Sequence, residues 1–318
     1  MKKKLSTIFR LLLGVLILAI LIYKVGVKEI YETLISINLS FLFVVIVVNF
    51  IPFFIATLNL KLLIDGIKKI SFFKLLKYYI LSWSVGLFVP GRLGEFSLIY
   101  FLRKEDIDIG KGTVVAVIDK LITAVTLSFL TIAAFFVFFT AAEVVKLVGF
   151  LFVGFLLFLF FIVTEMGRGL IKKFILRKFA DKFKGFSETF FFYFKKKKKV
   201  LLINFFLTFI KWVLNAVIIS LLFLAFGVSI DFYYVLLVTS TTIIISLIPI
   251  SISGLGVKES AAVLLFGQIG VSASVVVSVF LIFTVISYIF AAFIFSFVKL
   301  DKKKIEELNL AASDAARE

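Results

Sequence analysis

Apolar stretches of about 20 residues, each long enough to cross a ~30 Å hydrocarbon core, recur from the first turn of the chain to Lys299. No other feature restricts the fold as strongly. Of the 318 residues, 62% are hydrophobic and 17% aromatic, and the mean hydropathy is +1.18. A water-soluble domain keeps roughly half its residues polar and could not hide that much apolar surface. The solvent for this fold is lipid.

Full-length spans are placed at about 5–23, 39–60, 112–139, 146–164, 200–226 and 271–298. The first, Leu5 to Tyr23, follows the basic start Met-Lys-Lys-Lys but has no small-residue cleavage site before Lys24, so it is expected to be a retained span. Two further apolar stretches are interrupted, 74–103 at Pro90-Gly91 and 232–269 at Pro249 and the Gly254/Gly256 pair. Each divides into a first half of about 16 to 18 residues and a second half of about 12, too short to cross.

If both interrupted stretches are re-entrant, every loop receives a side. The segments then inside, 1–10, 61–77, 99–111, 165–199 and 299–318, sum to +17, while 24–38, 140–146 and 227–232 sum to −1. That agrees with the excess of Lys and Arg on the cytoplasmic side of membrane proteins. If the first stretch crossed once instead, 165–199 and its Lys195 to Lys199 run would fall outside at net +9. The expected fold is therefore an all-α polytopic membrane protein with about six full transmembrane helices plus two re-entrant helical hairpins. Residues 1–318 form a single transmembrane domain in the cell membrane, with both termini cytoplasmic. Residues 165–199 form a basic cytoplasmic linker that is either a solvated loop or an interfacial amphipathic helix.

The same topology makes 39–139 and 200–298 upside-down copies. Matching breaks, P-G-R-L-G-E from Pro90 to Glu95 with Gly91 and Gly94, and S-G-L-G-V-K-E from Ser253 to Glu259, stand at corresponding places. Interrupted segments in matching positions of two inverted halves point to a transporter's midplane site.

Seven charged residues remain inside the apolar stretches: Arg92, Glu95, Asp119, Lys120, Lys211, Lys258 and Glu259. Each costs roughly 2.5–3.5 kcal/mol at a helix centre on insertion scales, so they are expected to face one another or a wet cavity and to bind substrate. Asp119 and Lys120 are neighbours on a helix and so point apart, which calls for partners on different elements. The second half of each hairpin starts its helix at the break and would aim a positive dipole end at the midplane. An anion such as a lipid phosphate is the natural guest. The competing reading is a closed ion-pair network that locks the hairpins and binds nothing.

There is no Cys and no His, which excludes disulfides, thiolate nucleophiles, Cys or His metal ligands and histidine acid–base chemistry. No catalytic residue, metal or cofactor is expected. A net charge of +17 reflects topology and anionic lipid headgroups; no sequence remains for a nucleic-acid-binding domain.

The breaks, the Asp119-Lys120 pair and the run I-P-I-S-x-S-G-L-G-V-K-E from Ile248 to Glu259 resemble the transmembrane region of lysylphosphatidylglycerol synthase and flippase-like membrane proteins. In that family an acidic–Arg pair is usual where this chain has Asp119-Lys120, and Arg is common at Lys258. The charge is kept here but the bidentate fork of Arg is lost, which weakens the case for tight phosphate clamping at those positions. The resemblance implies movement of a phospholipid or polyprenyl-linked lipid between leaflets, with membrane lipids as partners and an oligomer allowed. It does not imply aminoacyl transfer, whose soluble domain has no counterpart. The alternatives are an ion- or proton-coupled transporter of a small organic anion, and an enzyme using Glu95 or Glu259 as general base. A cavity opening sideways between spans favours lipid; a sealed pore favours a soluble solute.

Overall fold

Among the described residues every regular element is helical, the arrangement that satisfies all backbone groups within one segment in hydrocarbon. The computed structural model describes residues 2–140 and 185–297, with positions 145, 149, 153–154, 156–157, 160, 164 and 166–167 between them. Most of the expected span 146–164, residues 168–184 of the linker and the tail 299–318 lie outside the described residues.

The elements run α1 (Lys2–Val25), α2 (Val27–Ile35), α3 (Leu39–Val48), α4 (Ile51–Ile64), α5 (Phe72–Leu87), a first break (Pro90–Ser97), α6 (Leu98–Arg103) and α7 (Ile109–Phe138). They continue as α8 (Phe186–Lys196), α9 (Lys198–Ala225), α10 (Phe232–Leu247), a second break (248–256), α11 (Val257–Gly267) and α12 (Ala273–Phe297). Five helical segments are long and apolar enough to span: Ile8–Val25, Leu39–Ile64, Ile109–Phe138, Lys198–Ala225 and Ala273–Ser296. They match five of the six expected spans. The segment Leu39–Ile64 joins α3 and α4 across Asn49 and Phe50, where Pro52 removes a donor and restarts the helix. The chain is a multi-pass membrane protein, and its outward surface carries large apolar side chains such as Phe9, Phe43 and Ile289.

Both interrupted stretches fold back. In the first, Gly91 and Arg92 are left-handed, with φ 62 and φ 55, and turn the chain after α5. Gly94 then passes so close to α5 that a Cβ there would stand 2.6 Å from the Val85 carbonyl oxygen. The return is completed at the far end, where Glu105 accepts hydrogen bonds from Lys74 at 2.7 Å and Tyr78 at 2.6 Å. Residue 105 thus closes beside the start of α5. In the second stretch Ser253, Gly254 and Gly256 are left-handed, and Val235 near the start of α10 shares a core with Leu265 and Phe266 near the end of α11. The first halves, Phe72–Leu87 and Phe232–Leu247, have 16 residues each.

Packing repeats with the elements exchanged. The span before each hairpin lies on its first half (α4 on α5, α9 on α10), and the span after it lies on the second half (α6 on α7, α11 on α12). Each following span also crosses to the other hairpin: α7 packs on α10 and α12 on α5. The two breaks touch, Gly91 facing the Leu247 carbonyl and Pro249. Besides a small cluster of Leu127, Leu130 and Trp212 that joins α7 to α9, two larger buried cores are present. One holds Leu63, Leu75, Leu102, Val115 and Ile118, with Phe190 and Tyr193 of α8 seated on it. The other holds Val45, Ile219, Val238, Phe266 and Val276. Helix α1 lies outside this exchange and packs on the second break.

Candidate functional site

Where the breaks meet, a cavity of about 890 Å³ is lined by residues of both hairpins, α7, α9 and the α3–α4 kink. Arg92, Glu95, Lys120, Lys211 and Lys258 line it. Asp119 and Glu259 stand behind them, both buried. The seven charges therefore surround one space, but as two ion-paired groups and one separate cation.

The first group joins the first hairpin to α7. Glu95 follows the break that Gly94 holds against α5, and it lies 3.6 Å from Arg92 Nη1. Its other oxygen accepts a hydrogen bond from Lys120 Nζ. Lys120 Nζ is also 3.1 Å from Asp119 Oδ2. This corrects one expectation: Asp119 and Lys120 do meet, because the four-carbon stem of Lys bends back across the 100° that separates neighbours on a helix. The partner on another element exists as well, and it is Glu95.

The second group sits at the start of α11. Lys258 Nζ donates to Thr284 Oγ1 of α12 at 2.9 Å and lies 3.6 Å from Glu259 Oε1. Thr284 Oγ1 in turn donates to Glu259 Oε1 at 3.3 Å, and Glu259 Oε2 accepts the Gly256 backbone N–H at 2.8 Å. Glu259 is thus the third residue of the helix capping its own N-terminus. The expected anion site at the hairpin helix ends is corrected accordingly. The α11 terminus is occupied by Glu259, and α6 is six residues of helix preceded by a 3₁₀ turn, with little dipole to offer.

Lys211, in the middle of α9, is only 7% exposed and has no carboxylate within 4 Å among the described residues. Its Nζ lies 5.0 Å from the centroid of the Trp212 ring. Asn215, one turn on, donates to the Lys211 carbonyl at 2.8 Å and also faces the cavity. Around Lys211 are buried polar atoms with no hydrogen-bond partner, among them Arg92 Nε, Trp212 Nε1, Thr123 Oγ1 and Thr239 Oγ1. Such atoms are rare in folded proteins and mark places where a guest or water completes the bonding.

Of the break residues, Gly91, Gly94, Gly254 and Gly256 each have a close backbone or Cβ neighbour where a side chain would stand, and Pro90 is buried. Pro249 faces Gly91 across the contact between breaks. Thr284 and Trp212 were missed at the sequence level. A Thr or a Trp in an apolar helix carries no signal, although the Thr239-Ser240-Thr241-Thr242 run in α10 is unusually polar and does reach the cavity.

Among the described residues, α7 and Gly154 border the cavity on one side. Val125 and Phe129, at mid-helix, line it and are 46% and 68% exposed. Among the described residues, these two apolar side chains belong both to the cavity wall and to the exposed surface of α7. Residues 7–294 match the family described as lysylphosphatidylglycerol synthase TM region, a stretch that takes in both breaks and all seven charges. No curated protein matches the chain.

Proposed function

The chain belongs to the lysylphosphatidylglycerol synthase TM-region family, and from that premise we propose that it is a lipid translocator, moving a phospholipid or polyprenyl-linked lipid between leaflets through the charged cavity. The observation that carries the reading is that Val125 and Phe129 of α7 both line the cavity and lie exposed among the described residues, which supports a cleft reaching the lipid-facing side. A headgroup with acyl chains attached can enter a cleft of that shape while its tails stay in the bilayer. A soluble organic anion would need a route closed off from lipid. The membrane is the cell membrane, the termini are cytoplasmic, and membrane lipids with phosphate-bearing headgroups are the partners; no chemical step is assigned to the carboxylates.

Both hairpins are re-entrant in this reading, and the halves 39–139 and 200–298 form an inverted repeat. The exchange of packing partners between α4–α7 and α9–α12 supports that arrangement. Alternating access then follows from rocking one hairpin against the other about the contact of the two breaks. The ion pairs from Glu95 to Lys120 and from Lys258 to the Thr284–Glu259 pair tie each hairpin to its following span.

The test is transbilayer movement of a fluorescent phospholipid in proteoliposomes. Arg92→Ala and Glu95→Ala are each expected to abolish movement while the protein still elutes as a folded species from size exclusion. Unchanged movement in both variants would reject the charged cavity as the lipid path.

A further inference from the structure

We propose that the headgroup this site accepts carries one net negative charge, as a phosphodiester does, and that Lys211 is the cation it neutralises. The inference rests on the translocator reading and adds the charge class of its substrate. The cavity and the groups directly behind it contain four cations and three carboxylates. Glu95 and Asp119 face Arg92 and Lys120, and Glu259 faces Lys258. Lys211 is left over from these close pairs: it is buried beside the Trp212 ring, has no carboxylate within 4 Å among the described residues, and feels Asp119 only at longer range, a carboxylate that Lys120 already pairs. An aromatic face steadies a cation but does not cancel its charge.

An uncompensated charge away from water is among the most expensive arrangements a protein can hold. A guest of charge −1 brings the sum to zero. A zwitterionic headgroup leaves +1 in place, and a doubly charged phosphate reverses the sign. The expected span at 146–164 adds no charge after Lys146, so it does not alter the sum. Arg92 and Trp212 line the same cavity, and each keeps a buried N–H, Nε and Nε1, that has no acceptor in the structure.

The experiment reconstitutes the full chain with three labelled probes in turn: phosphatidylglycerol (−1), phosphatidylcholine (net zero) and phosphatidic acid, whose monoester approaches about −2 at pH 7. Phosphatidylglycerol is expected to move about tenfold faster than either of the others, since a misplaced charge in a desolvated site costs at least that factor. Equal rates for all three probes would overturn the charge assignment and leave the translocator standing. No movement of any probe would overturn the translocator reading, and this inference with it. Lys211→Met, which brings the empty site to zero, is expected to move the preference to phosphatidylcholine; an unchanged preference overturns the role of Lys211. Should that variant fail to fold, Asp119→Asn raises the sum to +2 and is expected to favour phosphatidic acid over phosphatidylglycerol. A preference still centred on phosphatidylglycerol refutes the inference.

Discussion

Gly256→Ala tests how the second break is held. Gly256 has φ +79, and a Cβ there would stand 2.6 Å from the Gly14 carbonyl oxygen, 2.9 Å from Ile17 Cβ and 2.9 Å from Leu18 N, all on α1. Two costs add. A left-handed Ala is strained by about 1–2 kcal/mol, and overpacking against backbone that cannot rotate away adds about 1–3 kcal/mol. The stiffer unfolded chain of Ala returns about 0.4–1 kcal/mol. The net loss is about 1–5 kcal/mol, which in a chain of this size lowers the melting temperature by roughly 2–7 °C. The assay is thermal unfolding in detergent followed by intrinsic fluorescence. Two further variants separate the terms. Gly227 has φ +72 with nothing within 4 Å, so Gly227→Ala carries the strain alone. Gly14 lies within α1, and a Cβ there would stand 3.0 Å from Ser251 Cβ and 3.1 Å from the Leu255 oxygen, so Gly14→Ala carries the contact alone. Gly256→Ala melting like the wild type, or no lower than Gly227→Ala, would refute the claim that α1 clamps the break.

The mouth of the first hairpin should be sensitive to acid. The hydrogen bonds from Lys74 and then Tyr78 hold the Glu105 carboxyl below its ordinary value of 4.5. A depressed folded value gives stability that is complete above about pH 4.5 and is lost as pH falls through the lower folded value. The melting difference between wild type and Glu105→Gln is therefore expected to be constant from pH 7 to 5 and to shrink below 4.5, which a pH series of melts would check. At the second hairpin, Thr284→Val removes the acceptor of Lys258 and a donor to Glu259. It should cost about 1–3 kcal/mol by leaving a buried charge short of a partner, and it should slow lipid movement, whereas Thr284→Ser should keep both; a Val variant with wild-type melting and transport would exclude the bridge.

Five of the spans and the two breaks were legible because lipid imposes one rule along the whole chain: a helix of sufficient length or a break with a reason. Pro90-Gly91 and Gly254/Gly256 announced the turns, and the left-handed angles at Gly91, Gly254 and Gly256 are those that glycine alone adopts without strain. Arg92 and Ser253 share that conformation and gave no sign of it. The kink between α3 and α4 was also missed. A single Pro52 inside an apolar run reads as tolerated, and only the position of Asn49 on the cavity wall gives the kink a role. That α1 presses on the second break was beyond reach, since Gly14 and Gly256 are 242 positions apart and neither shows which helix it will meet.

That seven charges lie within the apolar stretches was readable from the sequence, but their pairing was not, and the difference has a physical origin. Membership follows from the cost of a charge in hydrocarbon, which depends only on depth along a helix. Pairing depends on reach. Lys120 spans both Glu95 and its own neighbour Asp119 because its stem is long and flexible. Glu259 turns away from the cavity because a carboxylate at the third position of a helix finds the free N–H groups of its own first turn. Once Glu259 caps α11, it faces Lys258 and cannot also serve Lys211. Once Lys120 holds both Glu95 and Asp119, Asp119 acts on Lys211 of α9 only from beyond ion-pair distance. The surplus of one positive charge among seven, visible in the bare count, thus falls on Lys211 through local rules of helix capping and side-chain length, and it falls where the cavity is open to a guest.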